Sequence, residues 1–156
     1  MKKLIACAVL GMATLTGTSL TIAQLDIEDA ITYRQAGYSF MSWNMGKIKA
    51  QTIDEPSTYN KDQVVAAANV IAAIANSGMG ALYPAGSDKG AGFHETKLKP
   101  EFFQNMEEVG KIAKEFNAAA NNLATVAATG DVAAIAKAFG ETGQTCKACH
   151  DKFRAK

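Results

Sequence analysis

Residues 132–153 read VAAIAKAFGETGQTCKACHDKF, and their spacing decides the fold. Val132, Ile135, Phe139, Cys146, Cys149 and Phe153 recur at heptad-like steps on one face of an α-helix, across Gly140 and Gly143. Gly130 stops the preceding segment, and Asp131 is an N-cap for this one. Upstream, Pro100 suits the first turn of another helix. Its stripe runs Phe102, Met106, Val109, Ala113, Phe116, Ala120, Leu123, Ala127. Before it, Asn60 caps a helix with Gln63 at the matching box position, its stripe is Val64, Ala67, Ala68, Ile71, Ile74 and Ala75, and Ser77-Gly78 ends it. The first helix has Asp26 as cap with Asp29 three residues on, and its stripe is Ile31, Arg34, Tyr38, Met41, Met45, Ile48. Tyr33, Gly37 and Phe40 widen that face beyond what one bundle core needs, and a partner subunit would cover the excess. Residues 54–60, with Pro56, form a linker, and residues 78–99 a Gly-rich loop holding Tyr83, Pro84, Phe93 and His94. No stretch shows sustained period-two alternation, and no repeat is present. The expected fold is all-α, an antiparallel four-helix bundle.

The chain has 156 residues, 48% hydrophobic and 20% charged, with a formal net charge of +1. That is globular composition for one domain. A near-neutral chain lacks the basic surplus a nucleic-acid binder needs. Residues 1–23 read as a cleaved secretory signal: Lys2 and Lys3, the apolar run Leu4 to Leu10, then Thr21-Ile22-Ala23 as a small-x-small cleavage site. Gly11, Thr14, Thr16, Gly17, Thr18 and Ser19 interrupt the run well short of a membrane span, so no membrane insertion is expected after cleavage. The domain is then 24–156, with 14 basic residues against 15 acidic ones, two cysteines and an expected periplasmic location.

Cys146-Lys147-Ala148-Cys149-His150 carries the chemistry. C-x-x-C-H is the attachment sequence of c-type haem. Cysteines at i and i+3 lie on one helix face, where both thiols reach the vinyl groups of one porphyrin edge. His150 then places an imidazole under the iron. A thioredoxin-like pair would need a βαβ context. Zinc would need four ligands, and the remaining histidine is the distant His94. A simple disulfide gives no reason for His150.

The sixth iron position separates electron carrier from gas binder. His94 lies in the loop; Met41, Met45 and Met106 occupy helix stripes, where methionine ordinarily fills gaps. The chain has 14 lysines and two arginines, Arg34 and Arg154. Arg34 falls on a buried stripe, where an unpaired guanidinium is costly and a haem propionate would satisfy it. Tyr38, one turn on, would sit above the iron's free side, and Arg154 is one turn past His150.

At these residues the sequence resembles cytochrome c′, the high-spin class II c-type cytochromes, especially those of purple sulfur bacteria. The resemblance spans the mature chain. It rests on Arg34-Gln35-Ala36-Gly37-Tyr38, the run Trp43 to Lys49, Ala67 to Leu82, Lys99 to Asn105 and the C-terminal CKACHDKFRAK. It implies a homodimer formed through the first helices, with one covalent haem c per subunit. Cys146 and Cys149 would be the anchors and His150 the proximal ligand. Arg34 and Gln35 would contact the haem near its propionates, the Phe93–His94 loop would pass its edge, Tyr38 would occupy the distal face, and Arg154 would neighbour the proximal histidine. The implied function is a non-enzymatic periplasmic protein with five-coordinate iron, binding NO or CO, transferring single electrons, or both. Its redox partner is unspecified. The alternative is a low-spin electron carrier with a methionine such as Met41 on iron.

Overall fold

The computed structural model describes residues 25–156; the expected signal segment 1–23 lies outside them. Five α-helices form in chain order: α1 (Ile27–Lys49), α2 (Lys61–Ala75), α3 (Glu101–Gln104), α4 (Met106–Thr129) and α5 (Val132–Phe153). α3 is a single turn, so the body is the expected four-helix bundle built from α1, α2, α4 and α5.

The caps fall where the side chains dictate. Asp26 accepts from the Glu28 N–H at 2.8 Å, one residue earlier than a capping box would have it. Asn60 accepts from Gln63 N at 3.1 Å, while Gln51 takes the Asn60 N–H at 2.9 Å, the role expected of Gln63 in a reciprocal box. Gly130, at φ +82°, ends α4 in the left-handed region, and Asp131 accepts from Ala134 N at 3.0 Å to start α5. That two-residue turn makes α4 and α5 antiparallel neighbours.

Consecutive helices pack closely: α1 on α2, α2 on α4, α4 on α5. Their shared core is apolar and rich in small residues, with Ile48, Val64, Ala67, Ala68, Ile71, Ala120, Leu123, Ala127 and Ile135 all buried. The ring closes between α1 and α5, which approach each other at far fewer places.

One expected element differs. The helix predicted to run unbroken from Pro100 is interrupted at Asn105, whose backbone (φ −126°, ψ 41°) leaves the helical region. The Asn105 N–H donates to Phe102 O at 3.3 Å, and its side-chain Nδ2 to Glu101 O at 2.7 Å. The break re-aims both sides. Phe102 turns into a second cluster with Ile112 and Phe153, whereas Met106, expected in the core, is 55% exposed. Ala113, also expected inside, is exposed, and Ile112 takes the buried position. Among the described residues no helix is long and apolar enough to cross a membrane.

Candidate haem site

The last turns of α5 carry Cys146 and Cys149 as free, half-buried thiols, and burial pushes both above the ordinary thiol range. The fields of both thiols reach Tyr38 on α1, and that of Cys149 reaches Tyr83. The thiols on α5 thus lie near Tyr38 on α1, where those two helices pack sparsely. His150 is exposed beside Arg154. Partial burial, then the Arg154 charge, hold its imidazole below the usual value, hence neutral near pH 7. Backbone pairing fixes this end of the chain: Lys99 N donates to Phe153 O at 2.9 Å, and Ala155 N to Lys97 O at 2.8 Å.

The long loop forms the third wall, and α1 ties it down. Arg34, 5% exposed, donates from Nη1 to Ser87 Oγ (2.8 Å) and Leu82 O (3.3 Å). Its Nη2 donates to Ser87 O and Thr96 Oγ1, both at 2.6 Å. Gln35 grips the His94 backbone both ways, donating to its carbonyl at 2.9 Å and accepting from its N–H at 3.2 Å. The loop crosses α1 so closely that a Cβ on Gly92 would stand 2.7 Å from Thr32 Cα, so only glycine fits there. Tyr83 donates to Tyr38 Oη at 2.9 Å. Its ring stacks on Phe102 at 4.7 Å and lies under the Arg34 guanidinium at 4.8 Å. Burial raises the Tyr83 phenol above its ordinary value.

Four loop acceptors engage the Arg34 guanidinium. Gln35 is likewise engaged with the loop. Tyr38, Cys146 and Cys149 come together, as do His150 and Arg154. Phe93 stands 64% exposed and the His94 side chain is exposed; of the two, the His94 backbone is held by Gln35. Tyr83, Ser87 and Thr96 had no assigned role. A buried arginine implies acceptors somewhere, but nothing in the Gly-rich loop's sequence indicated which.

The residues fit a covalently held haem. Two thiols on one helix face are followed by a neutral imidazole, one position after Cys149. A Cβ on the half-buried Gly143, one turn before Cys146, would meet no atom within 4 Å, so this face of α5 has room. Among the described residues no His, Cys, Asp and Glu gather into a set that would hold a bare ion. Met41 belongs to the apolar core and Met106 is exposed, which leaves neither placed as a second strong ligand.

The Cytochrome C′ family model matches residues 29–154. Cytochrome c′ of Allochromatium vinosum is 59% identical over 157 residues, covering 100% of both chains. A solved cytochrome c′ with an unusual ligand-controlled dimer dissociation is 64% identical, covers 86% of this chain and 100% of its own, and superposes with a TM-score of 0.80. Cytochrome c′ from Thermochromatium tepidum is 58% identical with the same coverage and a TM-score of 0.80. A ferrous variant of the Alcaligenes xylosoxidans protein, 25% identical with a TM-score of 0.72 over 83% of this chain, has been solved with bound NO. Family members are periplasmic, non-enzymatic proteins whose covalent haem c is high-spin and binds NO. With its thiols, imidazole and bundle arranged as such a haem requires, the chain belongs to the cytochrome c′ family.

Proposed function

We propose that residues 24–156, freed of the signal segment, act in the periplasm as a homodimeric haem c protein that takes a small diatomic ligand, NO or CO, on five-coordinate iron. The observation that carries this reading is the pairing across the α1–α5 seam: anchoring thiols and a neutral imidazole on α5, and on α1 a phenol instead of a methionine or histidine. Bound through Cys146 and Cys149, the haem supplies an iron that accepts a diatomic ligand or a single electron.

His150 serves as proximal ligand, its low pKa keeping the nitrogen lone pair available. Arg154 lies beside it. Tyr38 covers the distal face: its ring occupies space, and its protonated phenol is a poor ligand. A small neutral gas can displace it where a bulkier ligand cannot. Arg34 and Gln35 serve the haem through the loop they hold, and that loop carries Phe93 and His94 along its edge.

The outer face of α1 suits a second copy of the chain. Tyr33, Phe40 and Trp43 (58% exposed) lie on it, Phe40 stacks on Trp43 at 5.5 Å, and Lys47 Nζ sits 4.5 Å over the Trp43 ring. Tyr38 shares that helix, so displacing it links gas binding to the interface. Sedimentation of the ferrous protein with and without CO reads this link, and identical dimer fractions would sink it.

Absorption spectra test the main reading. A broad high-spin ferrous spectrum that sharpens with CO is expected; sharp split bands indifferent to CO would mean a sixth protein ligand. Tyr38→Ala should speed CO association with the ferrous protein, and an unchanged or slower rate counts against a distal Tyr38.

A further inference from the structure

Tyr38 and Tyr83 are 45 residues apart in sequence, yet their hydroxyl oxygens are 2.9 Å apart. The two rings are held very differently. Tyr83 is fixed: Phe102 stacks on it at 4.7 Å with 20° between the planes, and the Arg34 guanidinium lies 4.8 Å from its centroid. Each of those supports is itself held. Phe102 packs edge-on against Phe103 at 5.3 Å and Phe153 at 5.8 Å. Arg34 is tied by Ser87 and Thr96. Tyr38, in contrast, is 41% exposed, and the bond from Tyr83 is the one side-chain hydrogen bond it makes among the described residues. One hydroxyl is a post, and the other belongs to a part that can swing.

We infer that Tyr83 is a positioning residue that latches Tyr38 over the ligand side of the site, so that the Tyr83–Tyr38 hydrogen bond sets how often the site opens to a diatomic gas. This rests on the reading above that places Tyr38 on the distal face. Because Tyr83 takes no iron position itself, its effect reaches the gas only through Tyr38.

The test is CO association with the ferrous holoprotein in Tyr83→Phe, Tyr38→Phe, the Tyr83→Phe/Tyr38→Phe double variant, and Tyr38→Ala. Removing one neutral hydrogen bond should raise the rate by roughly two- to tenfold in each single phenylalanine variant. The double variant should be no faster than the faster single one, because both remove the same bond. Tyr83→Phe keeps the ring that stacks on Phe102. Should it nevertheless fail to fold, Tyr38→Phe breaks the same bond from α1 and must still speed association. Tyr83→Phe at the unmodified rate with a fast Tyr38→Ala overturns the latch and leaves the distal reading standing. Single effects that multiply in the double variant overturn it too, since the hydroxyls would then act independently. If every variant, Tyr38→Ala included, binds CO at the unmodified rate, the distal placement of Tyr38 itself falls.

Discussion

The bundle is closed by two kinds of seam. Where α2 meets α1 and α4, and where α4 meets α5, buried alanines, isoleucines and Leu123 dominate the packing, and the few polar contacts include Thr142 Oγ1 donating to Ala119 O at 3.3 Å. Where α1 faces α5, few residues meet directly. The 78–99 loop makes the join instead, through a guanidinium, an amide and stacked rings. Apolar packing is non-directional and resists local change. A hydrogen-bonded strap is directional and opens one bond at a time. The two therefore divide the work: the first seams hold the fold, and the second holds the 78–99 loop against α1.

The sharpest break of this comparison is Leu123→Ala. Leu123 is fully buried in the apolar core. Truncating it should cost about 2–5 kcal/mol in denaturant unfolding of the holoprotein. CO association in the folded protein should stay unchanged. A shifted rate would show that core and pocket are one mechanical unit.

Arg34→Met comes next. It keeps the side chain's length but removes one donor from each of four acceptors, among them both oxygens of the fully buried Ser87. The expected loss is about 1.5–3 kcal/mol, with faster proteolysis between residues 82 and 96. Arg34→Lys should recover little of it, because one ammonium cannot span acceptors on Leu82, Ser87 and Thr96 as a planar fork does. Full recovery by lysine would mean that charge, not the fork, holds the loop.

Arg34 also marks where sequence reading stopped. Helix periodicity, caps and the C-x-x-C-H run are local patterns, so α2, α5, Asp26, Asn60, Asp131 and the paired thiols were legible. The burial of Arg34 was legible too, from its place in the stripe. Its partners were not: Ser87 and Thr96 lie 53 and 62 residues away, in a loop without periodicity. Tyr83 was invisible for the same reason. The break at Asn105 was missed because the Phe102–Met106 spacing suits a continuous helix. Phe102 packs instead on Tyr83 and Phe153, contacts distant in sequence.

The smallest effect sharpens the comparison from inside the core. Tyr59 packs against the apolar cluster, and its hydroxyl is buried with no hydrogen-bond partner. A buried polar atom without a partner carries a desolvation penalty and no return. Tyr59→Phe should therefore leave stability within about 1 kcal/mol of the unmodified protein, on the stabilising side. The same change at Tyr83, also tyrosine to phenylalanine, removes a made bond and should destabilise. A loss at Tyr59 as large as that at Tyr83, read in parallel unfolding curves, would mean that the core also relies on a directional contact. The division between apolar seams and a strapped pocket would then not hold.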